Sequence, residues 1–369
     1  MNPSLCRRGR RGSIHLEDGT YLEGCGFGAE GTRVGEVVFT TAMNGYVEAL
    51  TDPSYKGQIL VFTHPLIGNY GVPEPKWMDG VLLNMESERI QVEGVIVAEE
   101  TEPSKWNAAA SLHQWLSSQG VPGVSGVDTR MLVRKLRMVG SMMGTISSGR
   151  DGDPDMKWRY DDVDFTEQTS PRGVIVHGGG SDVLVVVDCG VKHGILRELL
   201  ARGFQVVRVP CKSSPEDVLK LRPRGIIFSN GPGNPNLLSG LVETFRGLAE
   251  EHIPILGICL GHQVAALAMG GRVRKMRFGH RAINKPVIEE ETKSCFVTTH
   301  NHGYGVYPED VPPNMRIWFR NPDDGVVEGL MHEELPIMTT QFHPEARAGP
   351  RDAAWVFDSF ARVVRSGGH

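Results

Sequence analysis

Two hydrophobic rhythms divide the chain. Up to about residue 150, apolar positions come in short alternating stretches, the period of half-buried strands, with a few segments at helical spacing between them. Ile14 to Glu23 alternates around Asp18 and Gly19, which tolerate positive φ in a tight type I′ turn, and this predicts a hairpin. Ala109 to Gln119 and Asp128 to Leu136 predict helices, the second opened by Asp128 as its N-cap. This part reads as α+β.

Beyond residue 182 the apolar runs become continuous. Strands are predicted at Val183–Val187, Gln205–Val209, Gly225–Phe228 and Pro254–Ile258. Helices are predicted near Lys192–Arg202, from Pro215, at Leu237–Glu250 and at Leu260–Met269. Strands apolar on both faces and joined by helices indicate a parallel sheet with helices on either side, whose ligands bind at the carboxyl ends of the strands. From Gly149 to Asp182 the composition shifts to Asp, Gly, Ser and Pro, and Gly178, Gly179 and Gly180 lack the spacing and trailing Lys-Ser/Thr of a phosphate loop. The expected organisation is α/β: an amino-terminal α+β domain over 1–165, a linker over 166–182, and a doubly wound, mainly parallel-sheet domain over 183–369.

Composition removes some functions. At 369 residues, with 40% hydrophobic and 22% charged residues, the chain can bury a core in each of two domains. A net charge of −5 gives no electrostatic footprint for nucleic acid, and the run Arg7, Arg8, Arg10, Arg11 reads as a solvated, frayed terminus. No apolar segment follows Arg11, and the longest aliphatic run, Val183 to Val187, is too short to cross a bilayer, so a soluble cytoplasmic protein is expected. The cysteines Cys6, Cys25, Cys189, Cys211, Cys259 and Cys295 lack the spacing of a disulfide framework or a zinc knuckle and read mostly as buried apolar residues.

Cys259 stands apart because the strand ending at Ile258 passes through Gly257, Cys259 and Gly261 into an apolar helix. That is the form of a nucleophile elbow: the glycines clear a cramped turn, the sulfur rises above the sheet, and the helix N-terminus favours a negative charge there. A nucleophile needs a base and a group to orient it. Gln341-Phe342-His343-Pro344-Glu345 supplies both, since Pro344 biases His343 to extended backbone and residues i and i+2 of an extended chain share a face. Oxyanion donors would come from the Leu260 N–H and from the glycine-rich loop Ser229-Asn230-Gly231-Pro232-Gly233.

These three segments resemble the triad-type glutamine amidotransferases, and the residues matching that triad are Cys259, His343 and Glu345. In the first half, Val34 to Phe39, Gly45 to Ser54 and Val127 to Arg130 look like the amino-terminal domain of the carbamoyl phosphate synthetase small subunits, and Asn301 to Tyr304 and Gly349-Pro350 extend the likeness. The resemblance implies glutamine contacts at Ser54, Gly231, Gly233, Leu260, Gln263, Asn301, Gly303 and Tyr304, with Ser54 contributed across a domain interface. It further implies hydrolysis of L-glutamine, with ammonia passed to a large subunit that uses ATP and Mg to make carbamoyl phosphate for arginine and pyrimidine synthesis. This chain itself would need no cofactor. Ala282, Ile283 and Lys285 depart from the family pattern around Phe278 to Pro286. His300 and His302 alternate near Cys295, but without a third well-spaced ligand no metal is expected, and His262 and His280 read as structural neighbours of the pocket. A glutaminase for a different synthetase, or a non-catalytic regulatory subunit, are the competing readings.

Overall fold

The computed structural model describes residues 6–149 and 156–367. It divides into two units, Met1–Lys76 with Asn84–Val163, and Trp77–Leu83 with Asp164–His369.

In the first unit seven strands close into a barrel: β1 (Arg11–Leu16), β2 (Tyr21–Gly28), β3 (Gly31–Thr40), β4 (Gln58–Phe62), β8 (Gly94–Ile96), β10 (Pro122–Ser125) and β11 (Met142–Ser148). The short pair β5 (Leu66–Ile67) and β9 (Glu99–Glu100) lies outside it. The predicted hairpin is β1–β2, paired antiparallel from Arg11↔Cys25 to His15↔Tyr21. Inward side chains including Ile14, Val37, Leu60, Val95, Val124 and Ile146 are fully buried. Helix α1 covers Tyr46–Thr51, α2 Leu112–Ser118 and α3 Thr129–Val139. Ser111 caps α2 in a reciprocal capping box with Gln114, and the Asp128 carboxylate caps α3 by accepting from Met131 N.

Two expectations for this unit are corrected. The basic run is anchored: Arg8 pairs with Glu100 at 2.8 Å and Arg10 donates to Gly28 O at 2.9 Å. Cys6 and Cys25 form a disulfide. Both depend on residues distant in sequence, which spacing alone could not pair.

The second unit is a ten-stranded sheet in the order β12-β14-β13-β15-β16-β21-β20-β19-β17-β18. These are β12 (Ile175–His177), β13 (Val183–Asp188), β14 (Gln205–Pro210), β15 (Gly225–Phe228), β16 (Ile255–Ile258), β17 (Arg274–Glu289), β18 (Cys295–Gly305), β19 (Met315–Arg320), β20 (Val327–His332) and β21 (Ile337–Thr340). The hairpin β6 (Trp77–Met78) and β7 (Val81–Leu82) also belongs here, with Leu82 N donating to His193 Nδ1 at 2.8 Å. Strands β14, β13, β15, β16 and β21 are parallel, and β12 and β20, β19, β17, β18 add antiparallel wings.

The unbroken apolar run of β13 reflects burial on both faces. Val185 and Val187 join one core, with Phe245 and Leu248 of α7 (Ser239–Ala249) and Val264 of α8 (Leu260–Ala268). Leu184 and Val186 join the other, with Ile195 and Leu199 of α5 (His193–Ala201) and Phe357 and Phe360 of α9 (Trp355–Ser366). The remaining helices are α4 (Thr166–Thr169) and α6 (Pro215–Leu219). The stretch 166–182, read as a linker, carries α4 and the edge strand β12, while 150–155 of the shifted composition lies outside the described residues. Thr169 Oγ1 donates to Cys189 O at 2.7 Å and β12 pairs with β14, so a side chain and a backbone ladder both tie this stretch to the sheet.

Candidate functional site

The three chemistry-bearing segments leave the carboxyl ends of three adjacent parallel strands. β16 leads into Cys259, β15 into the loop 229–233, and β21 into Gln341 to Glu345. Cys259 sits at φ 54° and ψ −99°, a conformation unusual for a residue with a Cβ and costing on the order of 1–3 kcal/mol. The flanking glycines are required by contact: a Cβ on Gly261 would stand 2.2 Å from Phe228 O, and one on Gly257 would stand 2.7 Å from Gly261 O. Cys259 N donates to Thr340 O at 2.7 Å and Gly261 N to Ser229 O at 3.1 Å, which ties the elbow to both neighbouring strands.

His343 Nδ1 donates to Glu345 Oε1 at 2.7 Å, since a carboxylate can only accept. That fixes the tautomer and leaves Nε2 to take or give a proton. The backbone of His343 is held by Thr299 O at 2.8 Å, and the Cys259 thiol donates to Asn301 O at 3.6 Å, so β18 holds both ends of the pair. Burial opposes a charge on His343, but Glu345 and the Cys259 side chain outweigh it and raise its pKa to about 10. Burial likewise opposes the charge on Glu345, yet Lys192 and His343 prevail and bring it to about 2.

Lys192 was missed in the sequence. Its ammonium is 2.9 Å from Glu345 Oε1 and donates to Ala346 O at 2.9 Å, and the residue is only 2% exposed. The loop that presents it follows β13: the Asp188 carboxylate accepts from Gly190 N at 2.8 Å and Val191 N at 2.7 Å, and Asn230 Oδ1 accepts from Lys192 N at 3.0 Å. Its position at the carboxyl end of a parallel strand was the available signal.

Of the expected glutamine contacts, Gly231, Gly233, Leu260, Gln263, Asn301, Gly303 and Tyr304 belong to the second unit. Gly233 has φ 94°, and a Cβ on Gly231 would be 2.7 Å from Cys189 O. Leu260 opens α8 directly after the nucleophile. Gln263 Nε2 donates to Tyr304 O and Gln341 Oε1, both at 3.0 Å, joining α8 to β18 and to the segment carrying His343. Ser54 lies in the first unit, in a 3-10 turn where its N–H donates to Asp52 Oδ1 at 2.9 Å. The atypical stretch around Ala282 and Lys285 is part of β17, with irregular register against β18 between Ala282 and Lys285. His262 is buried, with Nδ1 at 2.8 Å from Thr339 Oγ1. His300 and His302 lie on β18 beside His280 of β17 and Glu328 of β20, partners the linear sequence did not reveal.

Comparison with known proteins agrees with this layout. Residues 14–146 match the carbamoyl-phosphate synthase small chain CPSase domain, and residues 185–363 match the class-I glutamine amidotransferase family. The carbamoyl phosphate synthase small chain of Metallosphaera sedula is 62% identical over 365 residues, covering 98% of each chain. That of Sulfurisphaera tokodaii is 62% identical over 364 residues, covering 97% of this chain and 98% of its own. The small chain of Pyrococcus furiosus is 47% identical over 364 residues, 96% of this chain and 98% of its own. With both domains matched in order and near-full-length identity at this level, the chain belongs to the carbamoyl phosphate synthase small-chain family, whose second part here is a class-I glutamine amidotransferase domain.

Proposed function

We propose that Cys259, His343 and Glu345 hydrolyse glutamine and that the ammonia serves a large ATP-dependent chain making carbamoyl phosphate. The observation that carries this reading is the strained cysteine at a strand-to-helix elbow beside a buried histidine whose tautomer a carboxylate fixes. With its proton passed to His343, the Cys259 thiolate attacks the δ-carbonyl of glutamine while N–H groups at the start of α8 and in the loop 229–233 face the developing oxyanion. His343, with its raised pKa, holds the proton that the departing ammonia needs. A γ-glutamyl thioester remains. Having given up its proton, His343 then takes one from water, which attacks the thioester and releases glutamate.

Glu345 orients the imidazole and favours its charged form, while the Lys192 ammonium sustains the Glu345 carboxylate and by itself disfavours charge on His343. The second unit accounts for ammonia release, and the chemistry that consumes ammonia is assigned to the partner, together with ATP and Mg. Among the described residues no helix is long and apolar enough to cross a membrane, and we place the reaction in the cytoplasm with the other metabolites it uses. Cys259→Ser should abolish glutamate release from glutamine while leaving the circular dichroism spectrum unchanged, because a hydroxyl is a far weaker nucleophile than a thiolate. A folded Cys259→Ser chain with near-normal glutamate release would remove the nucleophile from this scheme.

A further inference from the structure

Strands β17, β18 and β20 bring His280, His300, His302 and Glu328 to one point, each buried. One ligand atom from each lies within 4.8 Å of the others. His280 Nδ1 is 3.3 Å from Glu328 Oε1, His300 Nδ1 is 3.4 Å from His302 Nε2 and 3.5 Å from Glu328 Oε2, and His302 Nε2 is 4.0 Å from Glu328 Oε1. Around a zinc ion with metal–nitrogen distances of about 2.0–2.1 Å, tetrahedral geometry puts neighbouring ligand atoms about 3.3 Å apart. The four groups already stand near that spacing.

The outer ring nitrogens give a second, independent observation. His302 Nδ1 is 2.8 Å from Tyr304 O, a carbonyl that can only accept, so Nδ1 carries a proton and Nε2 presents a lone pair. His300 Nε2 is 2.7 Å from Thr298 Oγ1, whose own proton goes to Lys285 O at 3.0 Å, so the hydroxyl accepts and His300 Nδ1 presents a lone pair. His280 stands between two carboxylate acceptors, with Nε2 2.8 Å from Asp324 Oδ2 and Nδ1 3.3 Å from Glu328 Oε1, so a metal ion would take the place of the proton on Nδ1. Two imidazole lone pairs therefore face one another at 3.4 Å beside a buried carboxylate, an arrangement that calls for a cation between them. Hydrogen bonds from the outer nitrogens to a carboxylate, a carbonyl and a hydroxyl are the supports that orient metal-binding histidines.

We propose that His280, His300, His302 and Glu328 bind a zinc ion in a closed, four-coordinate structural site. Four protein ligands leave no position for water or substrate, so the ion holds strands together and takes no part in the reaction. His300 and His302 flank Asn301, whose carbonyl receives the Cys259 thiol, so the ion would fix the register of the strand on which the nucleophile rests. The competing occupant of the same space is a single shared proton.

The test uses the full-length chain. Wild-type protein should carry about one zinc per chain by elemental analysis, and stripping followed by Co(II) should give the intense visible absorption of tetrahedral cobalt without a sulfur charge-transfer band. Glu328→Gln and His302→Gln should weaken Co(II) binding at least about tenfold, and zinc should raise the melting temperature of the wild type but not of these variants. Because those variants can fail to fold, His280→Cys gives a second readout: a ligand at that position would add a thiolate-to-cobalt band. Folded wild-type chain that neither contains zinc nor takes up Co(II) would overturn the proposal in favour of the shared proton. Full metal content in Glu328→Gln, or metal-loaded His280→Cys lacking the thiolate band, would overturn it as well.

Discussion

Replacing Lys192 by methionine keeps the length of the side chain and removes one charge from a buried site. Glu345 would remain 1% exposed, with only His343 to balance it. Glu345 is held at about 2 against an ordinary 4.5, burial being outweighed first by Lys192 and then by His343, and that gap corresponds to about 3 kcal/mol of stability at neutral pH. That shift is the joint effect of Lys192 and His343 against burial, and the expectation for Lys192 alone is about 3–5 kcal/mol, the typical cost of removing one partner of a buried ion pair. The sign follows from a depressed carboxylate pKa: the contribution is complete above 4.5 and is lost as pH falls towards 2. Denaturant unfolding of wild type and Lys192→Met across this range should show a gap of about 3 kcal/mol at neutral pH. The gap should narrow as pH falls below 4.5, where the unfolded carboxylate takes up a proton while the folded wild-type Glu345 stays ionised down to about 2. Glutamate release should fall by at least about tenfold, equivalent to about 1.4 kcal/mol of transition-state stabilisation, because His343 loses its fixed partner. A gap that stays the same in acid, or one under about 1 kcal/mol, would refute the view that Lys192 works by sustaining the charge on Glu345.

Two further substitutions probe other parts of the site. His343→Ala should lower single-turnover glutamate formation by about a millionfold, like loss of the nucleophile, whereas Glu345→Ala should cost about ten-thousandfold, since an orienting group acts only through the base; equal losses in both would mean Glu345 does more than orient. Gly261→Ala places a methyl 2.2 Å from the backbone oxygen of Phe228 and should cost about 1–3 kcal/mol by denaturant unfolding and about a hundredfold in rate, while Gly240→Ala, with nothing within 4 Å, should not destabilise.

The parallel half of the second unit was legible because its strands are buried on both faces: Val183–Val187, Gln205–Val209 and Gly225–Phe228 match observed strands to within a residue at either end. The elbow was legible because close backbone packing at Gly257 and Gly261 excludes side chains, and that requirement leaves glycines in the sequence. The antiparallel strands β17 to β20 were not, since they mix polar and apolar residues and are specified by pairing with distant partners. Lys192 looks like an ordinary helix-start lysine until the fold brings Glu345 to it. Cys6 and Cys25, Arg8 and Glu100, and His280 with Glu328 are likewise relations between segments distant in sequence, with no local pattern to announce them. His300 and His302 could be noticed by their alternation, but the residues that complete their cluster come from two other strands.

The central claim is that this chain supplies ammonia and its partner uses it. The most direct measurement assembles Cys259→Ser with the large chain and follows carbamoyl phosphate from bicarbonate and ATP with either glutamine or ammonium as nitrogen source. Synthesis from glutamine should stop and synthesis from ammonium should continue at close to the wild-type rate. Undiminished synthesis from glutamine would contradict the account, and loss of both activities in a complex that still assembles would show that Cys259 does more than release ammonia.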